Sequence, residues 1–321
     1  MAVEIGMATS HSDLLLKLET FLTTNSELVA ANQQWESLQD NTATPYSLST
    51  TPNNNGYLMS RFFKGKGLDG QDSIIVPMIL RQNVASNYYT LSAYPARAYD
   101  RTKVVEQQFV STNGYNTYPA CMSIWQTNMK YWFIANGRRF IIIAKVANRY
   151  VSMYCGLFLP SGTDTEYSYP LYIGGNHGTD STPYTYEATS NQRSFFNPQS
   201  NEGNNPRSSA YLILPSGELA CGDNYDGNSF SSYVTYEFRT YPYNNNHYLT
   251  KTIDGQYLLL PIDIVQALPV MQHLGWLDGV FYVSGFENSP ENIVQVAGVD
   301  YICIPAVVQN DYNNYAAIAL K

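Results

Sequence analysis

Apolar residues in the first forty positions recur at helical spacing, and that period does not persist anywhere later in the chain. Leu14, Leu18 and Phe21 fall on one stripe, with Leu15 and Leu22 beside it. The polar run Ser10-His11-Ser12-Asp13 ahead of them offers N-cap oxygens. Thr23-Thr24-Asn25-Ser26 interrupts the period and can cap a second helix, in which Leu28, Ala31, Trp35 and Leu38 share a face. Residues 1–40 therefore read as an N-terminal helical segment, either two helices or one broken near Asn25. Its apolar stripe covers the core of this chain or docks on a neighbour.

The pattern then changes to β. Residues 41–55 are rich in Thr, Pro and Asn and read as a loop or linker. Ile74 to Leu80 is an apolar run whose Pro77 points to an edge or bulged strand. Tyr88 to Tyr94 alternates, and Tyr131 to Ile134 is a short aromatic run. The clearest element is a hairpin over 138–160. Phe140 to Val146 is a buried strand, Ala147-Asn148 supplies the turn, and Tyr150 to Leu159 alternates with period two. Both faces carry large side chains, so the hairpin is expected between two layers. Residues 161–209 lose periodicity and read as a possible inserted loop region, a length of loop that commonly serves binding. Strands resume at 211–214, 234–241, 257–260, 280–284, 301–305 and 316–320, with a short helix over 262–274 weakened by Pro269. The fold class is mainly β (α+β). The body over 41–321 is expected to be sandwich- or barrel-like, as one unit or two.

Composition narrows the function classes. The chain has 28 tyrosines against 18 lysines and arginines, and only 14% of its residues are charged. Soluble domains average about 25%. Net charge is −8 and no basic stripe is visible, so nucleic-acid recognition is not expected. No run approaches the roughly twenty apolar residues a membrane span needs. The first residues lack a secretory pattern, which points to synthesis in a cytoplasm. Cys121, Cys155, Cys221 and Cys303 show no metal-binding spacing. Cys155 and Cys303 sit in apolar strands as expected free thiols, with a disulfide pair left open.

Catalytic signals are thin. His11, His177, His247 and His273 are scattered and match no metal or triad motif. The acidic pairs Asp164/Glu166, Glu218/Asp223 and Asp278/Glu287 read as solvated loop charges rather than glycosidase carboxylates. Asp223-Asn224-Tyr225-Asp226-Gly227-Asn228 lacks the order of a calcium loop and reads as a turn. Gly174-Gly175-Asn176-His177-Gly178 reads as a glycine-rich turn or a flexible binding loop. Asp278-Gly279 reads as a tight turn leading into the strand at 280–284. No enzyme activity, cofactor or metal is expected.

Several blocks together resemble a family of virion structural proteins of tailed bacteriophages. They are Asp13 to Leu22 with Trp35 downstream, Tyr131 to Arg139 followed by Ala144-Lys145-Val146, Tyr154 to Pro160, Tyr169 to Gly175, and Leu277 to Gly285. The resemblance spans most of the chain and brings no catalytic motif with it. It implies a particle component of the tail, baseplate or neck, partnered by copies of itself in a ring and by other tail, baseplate or neck proteins. The residues expected to contact neighbouring subunits are Leu14, Leu18, Phe21 and Trp35. From the 161–209 region come Tyr169, Tyr172, His177, Tyr184, Tyr186, Phe195 and Phe196. Two other readings stay open: a carbohydrate- or receptor-binding protein at the tail tip, and an enzyme that degrades envelope polysaccharide.

Overall fold

The structure is a computed structural model. It describes residues 1–38, 55–83, 88–103, 109–110, 119–163, 165–177, 193–198, 209–222, 236–243, 251–253, 255–307 and 314–320. Tyr184, Tyr186, the 223–228 run and most of 161–209 lie outside the described residues.

The chain opens with a strand, β1 (Ala2–Ala8), so the 1–40 segment is not helical throughout. Helix α1 (His11–Thr24) starts where the sequence places it. Ser10 is the N-cap and its Oγ accepts from Asp13 N–H at 3.1 Å. Its stripe of Leu14, Leu15, Leu18, Phe21 and Leu22 is buried in the core of this chain. Asn25 caps α2 (Ser26–Ala30), accepting from Glu27 N–H and Leu28 N–H. This helix is a single turn, so the helical face expected through Trp35 and Leu38 does not form. Asn32 takes a left-handed φ of 54°, and Trp35 follows in extended chain with its N–H donated to Leu22 O.

Two sheets make the rest. The smaller is antiparallel throughout and runs in order β2 (Glu36–Ser37), β3 (Asn55–Gly65), β4 (Ile74–Asn83), β5 (Tyr88–Ala93) and β6 (Ala120–Trp125). Pro77 therefore lies in an interior strand, not at an edge. Its carbonyl accepts from Tyr94 N–H, just past the end of β5 at Ala93. A residue's N and O point to the same side of a strand, so Pro77 keeps one of its two ladder bonds there, and the pairing resumes beyond it at the Ile75↔Ala96 bridge.

The larger sheet holds β7 (Met129–Ala135), β8 (Arg139–Val146), β9 (Arg149–Leu157), β10 (Leu159–Pro160), β11 (Leu171–Gly174) and β12 (Ala210–Ile213). It continues with β13 (Leu219–Gly222), β14 (Glu237–Tyr241), β15 (Leu260–Leu268), β16 (Gln272–Tyr282), β17 (Ile293–Val296), β18 (Val299–Pro305) and β19 (Tyr315–Ala319). Its spatial order is β1-β7-β8-β9-β11-β12-β13-β14-β15-β16-β19-β18-β17, with β10 paired to β16. The expected helix over 262–274 is instead the β15–β16 hairpin. Ile262, Ile264 and Gln266 are buried while Asp263 and Val265 are not, a period of two, and Pro269 falls in the turn. Asp278-Gly279 is not a turn either. It sits in a bulge within β16, which takes five steps from Phe281 to Trp276 while β15 takes two from Pro261 to Asp263.

The β8–β9 hairpin does lie between two layers. Phe140, Ile142, Ala144, Met153 and Cys155 face α1 and the smaller sheet, packing with Phe63, Val76, Leu91 and Met122. Ile141, Ile143 and Tyr154 face a second core shared with Tyr172, Phe238, Ile262, Val280, Ile304 and Ile318. Those residues come from strands far apart in the spatial order. The larger sheet is therefore rolled around its own aromatic core, and the β10–β16 pairing ties the roll across. The chain is mainly β with an N-terminal helix.

Candidate assembly surface

The residues expected to meet a neighbour are mostly turned inward. Leu14, Leu18, Phe21 and Trp35 are each 1% exposed. Trp35 donates Nε1–H to Asn136 O at 2.9 Å and packs edge-on against Phe140. Tyr172, His177, Phe195 and Phe196 are fully buried. The structure gathers three of them: the Tyr172 hydroxyl donates to Phe195 O, and the Phe195 and Phe196 rings meet edge to face at 5.2 Å. Tyr169 is half-buried, its hydroxyl accepting from Ile75 N–H and donating to Ala96 O. These nine side chains bind the chain to itself.

His177 belongs to a seam between the sheets. Cys121 N–H of β6 donates to His177 O at 2.8 Å, and Asn176 N–H donates back to Cys121 O at 2.6 Å. His177 Nε2 lies 2.8 Å from Ser123 Oγ. A Ser–His contact is a possible nucleophile–base pair, but both groups are sealed, at 0% and 3% exposure. The glycine-rich run here is a buried joint rather than an open binding loop. The four cysteines are free and buried. Among the described residues, no three His, Cys, Asp or Glu side chains gather where a metal ion would sit.

The apolar surface that is open lies at an end of the larger sheet. β1 pairs with β7 in unbroken register from Ala2↔Ala135 to Ala8↔Met129, and among the described residues no strand pairs its outer side. Ile5 and Met7 stand about half exposed, opposite Trp132 and Lys130. Edge strands in soluble proteins are commonly blunted by proline, lysine, a bulge or shortness. β1 spans seven residues and has no bulge, proline or lysine. Its one charge, Glu4, is turned onto the opposite face, where it accepts from the Tyr131 hydroxyl at 2.7 Å. The alternation Val3, Ile5, Met7 with Glu4 and Gly6 between was the sequence signal for this strand, weakened by its shortness.

A charged cluster borders this edge. Glu291 accepts from Lys130 Nζ at 2.6 Å, Lys145 Nζ at 2.8 Å and the Tyr150 hydroxyl at 2.6 Å. Lys130 also lies over the Trp132 ring, 4.7 Å from its centre. Burial alone would raise the Glu291 carboxyl, but the two ammonium groups and the phenol override it and bring its pKa down to about 2. Hydrogen bonds to Glu291 and Tyr150 in turn push Lys145 up to about 12. The cluster fastens the segment before β17 to β7, β8 and β9, which holds the roll closed beside the open strand.

No protein-family model matches the chain, and no curated protein matches it.

Proposed function

We propose that this chain is a structural subunit of a tailed-bacteriophage particle, part of the tail, baseplate or neck, where copies of it associate in a closed ring and hold neighbouring components in register. The observation that carries this reading is the unprotected β1 edge with Ile5 and Met7 standing out from it. A strand from a second copy placed there would satisfy the unpaired main-chain groups and cover both side chains. Burying the exposed halves of Ile5 and Met7 contributes on the order of 1 kcal/mol each. In a ring the contact is heterologous, so the β1 edge of one copy meets a different surface on the next. The sequence blocks that resemble virion proteins support the same role in an assembled particle.

The test is native mass spectrometry of the purified chain beside an Ile5→Lys/Met7→Lys variant, with peptide counting on intact particles. The unmodified chain is expected as an oligomer of fixed size and as a stoichiometric particle component. The double variant is expected to be a monomer with an unchanged circular dichroism spectrum. A chain that stays monomeric at high concentration and is missing from particles would overturn the reading.

A further inference from the structure

A cavity of about 210 Å³ opens where the two sheets meet, away from the β1 edge. It is lined by Arg97, which follows β5, by Tyr167, Ser168 and Tyr169 ahead of β11, and by Ser216 and Gly217 of the β12–β13 turn. At about 30 Å³ per water it has the room of roughly seven waters, enough for one small ring and too little for a chain of them.

The wall is built in a particular way. The turn is closed by Gly217 N–H donating to Leu214 O and Leu214 N–H donating to Glu218 O, both at 2.8 Å. Gly217 has a φ of +91°, and a Cβ there would fall 2.5 Å from one Arg97 guanidinium nitrogen and 3.1 Å from the other. Glycine at this position is what lets the guanidinium lie against the turn. Arg97 forms no ion pair or hydrogen bond among the described residues, although it is exposed and beside the cavity. The two tyrosines have already spent their hydroxyl protons, Tyr167 on Ile213 O and Tyr169 on Ala96 O, and of the two rings only the half-buried Tyr169 is open enough to meet a ligand. Ser168 is exposed, and its hydroxyl makes no hydrogen bond among the described residues. Glu218, one residue past Gly217, accepts from Ser216 Oγ at 2.9 Å.

From this arrangement we infer that the cavity binds a small carboxylate that also carries hydroxyl groups, of the size of a single acidic sugar. The planar guanidinium fork matches a carboxylate. The Tyr169 ring can lie against the apolar side of a sugar. The Ser168 hydroxyl can donate to or accept from the ligand's own hydroxyls and Ser216 Oγ can accept from them, whereas a bare anion would use only Arg97 and Ser168. This site is independent of the assembly reading and would function in a monomer.

The test is isothermal titration of the full chain with glucuronate and N-acetylneuraminate, against glucose and inorganic phosphate at equal concentration. Saturable binding of at least one acidic sugar is expected, with glucose and phosphate silent. Arg97→Gln should weaken that binding about tenfold or more, because a charged hydrogen-bond donor is lost. Arg97 is exposed and has no ion pair or hydrogen bond among the described residues, so the variant should fold. Shift of the Gly217 amide resonance on adding the sugar acid tests the same site without any substitution. The inference fails if neither acid binds, if phosphate binds as well as the sugar acids, or if Arg97→Gln binds like the unmodified chain.

Discussion

Among the described residues, tyrosine works largely from the inside. Tyr154 donates to Leu157 O at 2.7 Å, Tyr167 to Ile213 O at 2.5 Å and Tyr243 to Tyr315 O at 2.9 Å, all from buried positions. Each ring fills the core while its hydroxyl donates to a buried main-chain carbonyl, which for Tyr315 O is shared with Val283 N–H. Tyr167→Phe should therefore cost about 1–2 kcal/mol, the penalty of a buried acceptor left alone. Urea unfolding would measure it, and an unchanged midpoint would remove the argument. Glu291 gives a pH prediction. Its folded pKa, about 2, is below the ordinary 4.5. Its contribution is thus complete above pH 4.5 and fades as pH falls towards 2. Lys130 and Lys145 are 40% and 37% exposed, so solvent screens the pairs. A contribution of about 1–2 kcal/mol is expected after that screening. Glu291→Gln should melt lower than the unmodified chain at neutral pH, with the gap closing in acid. A gap that is constant with pH would mean that the carboxylate charge is not what holds the cluster.

Among the elements, the β16 bulge shows how a local signal can be sound and its setting misread. Asp278-Gly279 has turn chemistry, and it uses that chemistry to kink a strand. Arg139, 1% exposed, donates Nε–H to Asp278 Oδ2 at 3.2 Å, and Asn136 Nδ2 donates to the same oxygen at 2.9 Å. Gly279 has a φ of +70°, and a Cβ on it would fall 2.4 Å from an Arg139 guanidinium nitrogen. Asp278→Ala would strand a buried guanidinium, at a cost of about 3–5 kcal/mol. Thermal unfolding of that variant checks this, and a loss below that of an ordinary surface change would show that Arg139 reaches water. Legibility follows the same logic. The α1 cap and the β8–β9 hairpin were readable because one element's own residues decide them. The 262–274 stretch was not, because Ile262, Val265 and Leu268 fit a helical spacing while Ile262 and Ile264 fit a strand. The apolar residues first expected at an interface were large and aromatic, but which face of a strand turns inward depends on partners distant in sequence. Ile5 and Met7 remain outside because β1 is the last strand of its sheet.

For the whole molecule, the sparse charge decides how assembly should respond to salt. Each copy carries a net −8, so copies repel one another at long range. The proposed contact at β1 consists of main-chain groups with Ile5 and Met7, which gain nothing from an opposite charge on the partner. Salt should therefore remove the repulsion while leaving the attraction intact. At about 1 M salt the screening length falls to roughly 3 Å, and the oligomer fraction should rise relative to low salt. Light scattering on a sizing column at fixed protein concentration measures that fraction. The opposite response, a ring that falls apart as salt is added, would move the contact from the apolar strand to the Lys130, Lys145 and Glu291 cluster beside it. Ile5→Lys/Met7→Lys separates the two cases again. It should abolish the salt-strengthened form, because two new cations on the edge strand must be desolvated for pairing to occur, whereas a contact made by the charged cluster would survive it.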